Sequence, residues 1–67
     1  MMFDILGKKL NPGDKVYLIK SDYKNLAGKI YTVMKPDLLD SPNKVKISIS
    51  DQWQGYYNFN EVIKVEK

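Results

Sequence analysis

At 67 residues the chain has room for one compact core and no deep cleft between subdomains, because a domain this small hides only about 60% of the surface its unfolded form exposes. Hydrophobic residues at 43% and charged residues at 28% are the balance of a chain that folds rather than stays disordered. Cysteine and histidine are both absent, which excludes a disulfide framework, a thiolate metal site and the usual general base. A binding role is therefore expected, with no catalysis, no metal and no cofactor.

Eleven lysines and no arginine oppose eight carboxylates, for a net charge of +3. The charge is uneven: residues 1–35 carry a net +4 and residues 36–67 a net −1. A basic half attracts phosphate backbones or acidic protein surfaces. Lysine acts on phosphate as a point charge, whereas arginine reads guanine edges through two bonds at once. Nucleic acid, if bound, is then expected to be recognised by backbone and shape.

The opening Met1-Met2-Phe3-Asp4-Ile5-Leu6 places an acid where a signal peptide carries positive charge. No stretch approaches the roughly 18 apolar residues of a membrane span. A cytoplasmic protein without membrane contact is expected. Leu6 and Leu10 have helical spacing, but Gly7 lies between them. Residues 1–10 are expected to pack on the rest of the domain as a turn or short strand.

Asn11-Pro12-Gly13-Asp14 is a turn signal. Glycine there permits a positive φ, and aspartate bonds nearby amides. Residues 15–20 read as a strand, with Val16 and Leu18 on one face and Tyr17 and Ile19 on the other. A loop over residues 21–27 leads to Gly28 and a second strand over residues 29–35. Residues 37–43 form the next loop. Its acids, Asp37 and Asp40, lack the alternating ligands and central glycine of a calcium loop. Residues 44–50 give the cleanest alternation, with Val45, Ile47 and Ile49 buried and Lys44, Lys46, Ser48 and Ser50 wet. Residues 53–59 form an aromatic strand interrupted by Gly55, a mark of a bulge or bend. Residues 58–61 suit a single 3₁₀ turn, and residues 62–65 close the chain as a last strand.

Turn signals at these intervals leave room for strands but hardly for a helix of three turns. The expected architecture is all-β. Five strands form a bent antiparallel sheet closed into a small barrel, with a short 3₁₀ turn before the last strand. The expected core is Val16, Leu18, Ile30, Val33, Val45, Ile47, Ile49, Tyr57, Val62 and Val65. Residues 1–67 are expected to form this single domain.

The stretch Pro12-Gly13-Asp14-Lys15-Val16-Tyr17-Leu18-Ile19, followed after a loop by Gly28-Lys29-Ile30-Tyr31-Thr32-Val33, resembles a KOW motif. The match covers about a third of the chain. Such motifs belong to SH3-like barrels of ribosomal proteins and transcription elongation factors, whose loop and neighbouring strands often touch RNA or protein. The resemblance implies an SH3-like barrel. Ser21-Asp22 stands where family members often carry a second glycine, and Asp22 dilutes the positive charge of the loop. The opening Asp4-Ile5-Leu6-Gly7-Lys8-Lys9-Leu10 is similar to the start of many small barrel proteins of phages and mobile elements.

Two candidate sites follow. Tyr23 offers a stacking face between Lys20, Lys24 and Lys29, which suits RNA or a single strand, and Lys44 and Lys46 extend the positive stripe. The alternative is a protein partner, such as the host target of a phage accessory or inhibitory protein. It would dock on an aromatic surface of Trp53 and Tyr56 with Tyr17 and Tyr31, because Trp and Tyr are enriched at interface hot spots.

Overall fold

A computed structural model describes residues 2–23, 25–36 and 44–66. Among these, strands β1 (Met2–Phe3) and β2 (Lys9–Leu10) pair as a small hairpin. Strands β3 (Lys15–Leu18), β4 (Ile30–Val33), β5 (Lys44–Ser50), β6 (Trp53–Asn58) and β7 (Val62–Val65) form one antiparallel sheet. A 3₁₀ turn, Phe59–Glu61, joins β6 to β7. The order across the sheet is β6-β5-β4-β3-β7, so four consecutive strands meander and the fifth returns beside the first. The expected strands and 3₁₀ turn are all present, and the opening segment adds the β1–β2 hairpin. No described helix is long and apolar enough to cross a membrane.

Strand alternation places the core. Val16 and Leu18 of β3, Val33 of β4, Val45 and Ile47 of β5, Tyr57 of β6 and Val62 of β7 are buried, joined by Met2 and Leu10 of the hairpin. Six of these aliphatic side chains are fully hidden. Each contributes about 1.5–3 kcal/mol relative to an exposed position. Register explains where the expected core departs from this. Val16 lies opposite Tyr31, and Tyr17 opposite Ile30. Because Val16 points inward, Tyr31 does too, and Ile30 is left 56% exposed. Ile30 and Val33 are three residues apart and cannot share a face of a regular strand. Ile49 and Val65 are only half-buried.

Two further expectations are corrected. The bulge lies on β5 between Ser48 and Ser50, opposite Gln54 and Trp53, and not at Gly55. Gly55 answers a different need: a Cβ there would stand 2.7 Å from Cε2 of Tyr57. The Tyr57 ring folds over the bare main chain of the residue two before it. Alternation puts Lys46 on the wet face, yet it is buried. Its ammonium lies 5.7 Å from the ring centroid of Tyr56, its cross-strand neighbour.

The opening segment is fixed by one side chain the sequence reading passed over. Asp4 is buried. Its Oδ1 accepts hydrogen bonds from the N–H of Leu6 at 2.9 Å and of Lys8 at 2.8 Å, and its Oδ2 accepts from the N–H of Lys64 at 2.8 Å. Ile5 N–H also donates to the Val62 carbonyl at 3.0 Å. The hairpin turn is thereby stitched to β7. Burial alone would raise the Asp4 pKa. The bonds from Lys64, Lys8 and Leu6, with the nearby Lys8 ammonium, outweigh it and hold the carboxyl below its ordinary value.

Candidate functional site: an aromatic groove

The loop between β3 and β4 is closed at its base by main-chain bonds. Gly28 N–H donates to the Leu18 carbonyl at 2.8 Å, and Leu18 N–H donates to the Lys29 carbonyl at 3.0 Å. Gly28 has φ +85°, a left-handed conformation that glycine adopts without strain. Two tyrosines then reach up from the sheet to hold the loop's interior. The Tyr31 hydroxyl donates to the Leu26 carbonyl at 2.6 Å. The hydroxyls of Tyr57 and Ser21 share a hydrogen bond at 3.0 Å. Burial, with the neighbouring Tyr57, raises the Tyr31 pKa, so its phenol stays a neutral donor well above neutral pH. Ser21 Oγ also accepts from Tyr23 N–H at 3.1 Å, and Leu26 N–H closes a turn onto the Tyr23 carbonyl at 3.0 Å.

This framework presents Tyr23 outward, against the start of β6. The Tyr23 and Trp53 rings meet edge to face, with centroids 5.8 Å apart and planes at 80°. Both remain partly exposed, at 62% and 46%. Between loop and strand runs an open groove of about 220 Å³. Ser21, Asp22 and Tyr23 form one wall, Trp53 through Tyr57 form the other, and Ile49 contributes to the lining. Tyr57 folds over Gly55, as described above. Among the described residues, the only charged side chain in the lining is Asp22.

The groove joins residues of the two separate candidate sites. Tyr23 belongs to the nucleic-acid candidates, and Trp53 and Tyr56 to the protein-interaction candidates. The other candidates lie elsewhere. Lys20 and Lys29 are exposed at the two ends of the loop. Lys44 is half-buried and donates to the Asn58 side-chain oxygen at 2.8 Å. Lys46 is buried and so is not part of an exposed stripe. Tyr31 points inward under the loop and supplies no exposed ring to the aromatic surface. Tyr17 sits on the outer face of the sheet, across from Ile30 and Ile63. Lys24, Asp37 and Asp40 lie outside the described residues.

Sequence reading missed Ser21, Asp22, Gln54 and Gly55 as groove residues. The usable signal was the Gly55-x-Tyr57 spacing, which lets an aromatic ring cover a glycine on the same strand face. Among the described residues, no three acidic side chains cluster as a metal site would require. Comparison with family models, with curated proteins and with solved structures yields no match.

Proposed function

We propose that this chain is a non-catalytic protein-interaction module whose groove between Tyr23, Trp53 and Tyr56 receives an extended segment of a partner protein. The observation that carries this reading is the composition of the groove. Two partly exposed aromatic rings, Tyr23 and Trp53, meet edge to face along it, Tyr56 adds to its lining, and among the described residues its one charge is the negative Asp22. Rigid aromatic side chains give large contact area at small entropic cost, which is why they dominate protein interfaces. Among the described residues a phosphate backbone would instead meet a carboxylate there, since neither Lys44 nor Lys46 lines the groove.

An SH3-like barrel is part of the same proposal. The return of β7 beside β3 and the 3₁₀ turn before it support that architecture. So do Gly13 and Gly28, at φ +96° and +85° in the turns that begin the two KOW-like strands. A cytoplasmic setting, and a role as a small phage accessory or inhibitory protein acting on a host protein, complete the proposal.

Immobilised protein is expected to retain one partner protein after nuclease treatment, and Trp53→Ala to release it. Retention that vanishes with nuclease, or that Trp53→Ala leaves intact, overturns the proposal. A second reading, binding of RNA or a single strand, is favoured by one observation: Lys20 and Lys29 stand exposed at the two ends of the loop that presents Tyr23. Under that reading, single-stranded polymer quenches Trp53 fluorescence. The effect fades steeply with added salt, because neutralised phosphates release counterions.

A further inference from the structure

The two borders of the five-stranded sheet differ: among the described residues, the outward main-chain groups of Gln54 and Tyr56 in β6 are open. Met34 N–H donates to the Lys46 carbonyl at 2.8 Å, so the Lys46 main chain faces β4. Tyr56 lies opposite Lys46 in the antiparallel pair, so its own N–H and C=O face away from β5. Ser48 also faces β4, where it pairs with Thr32, and Gln54 lies opposite Ser48. The Gln54 main chain therefore points outward as well. Asn58 continues the series, and its N–H is taken by the Glu61 carboxylate at 2.8 Å. The outward groups of Gln54 and Tyr56 have no partner among the described residues.

Sheet borders in proteins are ordinarily shielded by lysine, proline or a bulge on the border strand, or by a covering segment. Strand β6, Trp-Gln-Gly-Tyr-Tyr-Asn, has no charge and no proline, and the bulge of its hairpin lies on β5. We propose that β6 is a pairing edge through which two copies of this chain join antiparallel, about a two-fold axis at Gly55.

The register follows from which groups are open. An axis at Gly55 sets Gln54 opposite the partner's Tyr56, and Tyr56 opposite the partner's Gln54. Both open residues on both copies then exchange their N–H and C=O bonds. An axis at Tyr56 would set Gln54 against Asn58, whose N–H is already taken. An axis at Gln54 would set Tyr56 against Gln52, which lies in the turn before the strand. With the axis at Gly55, two glycines meet where opposed Cα atoms come closest, roughly 4.5 Å apart, and no side chains collide there. Trp53 comes opposite the partner's Tyr57, so aromatic surface is covered along with the main chain. An uncharged strand lets two copies of a +3 chain approach at this border without direct repulsion.

Such a contact is much smaller than the roughly 1,600 Å² of a standard interface, so the dimer is weak, with a dissociation constant on the order of 100 µM. Sedimentation of the purified chain over a concentration series reaching about 1 mM tests it. The average mass is expected to rise from 7.8 kDa toward twice that value, and the Gln54 and Tyr56 amides to exchange more slowly as concentration rises. Gln54→Pro, which removes one outward N–H at a position where an edge strand tolerates proline, is expected to stay monomeric. Should that variant fail to fold, Gln54→Lys is expected to weaken association at least about tenfold, with partial recovery in high salt. A wild-type chain that remains monomeric throughout overturns the proposal. So does a dimer that both substitutions leave unchanged. Protection of the Gln54 and Tyr56 amides that appears only on adding another protein assigns the edge to a foreign strand, and equally overturns the second copy.

Discussion

Strands β7 and β6 border the same sheet, yet among the described residues only β7 is covered. Along β7 the opening hairpin lies against the border: Asp4 receives the Lys64 N–H and Ile5 N–H meets the Val62 carbonyl. Along β6 the outward main-chain groups of Gln54 and Tyr56 are open among the described residues, and the aromatic groove lies beside them. The difference separates a border closed by the chain itself from one that its described residues leave open. A buried carboxylate with three N–H partners serves to close a border permanently. An uncharged strand beside partly exposed aromatic rings leaves its border available to another chain.

Substitutions on the two borders should therefore have opposite signatures. Asp4→Ala strips three main-chain donors of their acceptor and is expected to cost about 3 kcal/mol in urea unfolding. Because the Asp4 pKa is depressed in the folded chain, its contribution is complete above the unfolded carboxylate pKa, about 4. It is lost as pH falls through the lower folded value. Asp4→Asn removes that charge, so its stability should fall less steeply than the wild type's below about pH 4, as acid titration followed by circular dichroism will show.

On the other border, Gly55→Val drives a side chain into the Tyr57 ring, which would stand 2.7 Å from the new Cβ. A loss of about 2 kcal/mol is expected. A changed Trp53 emission should accompany it as the Tyr57–Ser21 bond and the groove wall shift. Trp53→Ala is expected to change stability by less than about 1 kcal/mol, since the ring is 46% exposed, while abolishing partner retention. Smallest of all is Glu66→Gln. Its bond to Lys8, at 2.9 Å, joins two exposed side chains, and thermal unfolding is expected to be unchanged within error.

Much of the fold was legible in the sequence. The alternation of Val45 and Ile47 with polar neighbours, the Gly13-Asp14 turn and the spacing of turn signals locate the strands of the sheet. Errors arose where local pattern does not determine register. Ile30 and Tyr31 are both plausible inward residues until the pairing with Val16 and Tyr17 decides between them. Lys46 follows the polar alternation, yet it is buried beside Tyr56. The groove was half legible. Tyr23, Trp53 and Tyr56 were recognised as candidates but assigned to different sites, because a contact between residues 30 apart in sequence leaves no local trace. Asp4 was read only as an acid in a would-be leader, since its three donors are main-chain groups that any sequence possesses.

The central claim is that the groove beside β6 is where this chain meets a partner protein. The most direct measurement places a photoreactive phenylalanine at position 23 and compares its adducts in cells with those formed from position 35, an exposed site two residues after β4. The account predicts one dominant nuclease-resistant protein adduct from position 23, absent from position 35 and lost with Trp53→Ala. An adduct that nuclease destroys, or the same adducts from both positions, would contradict it.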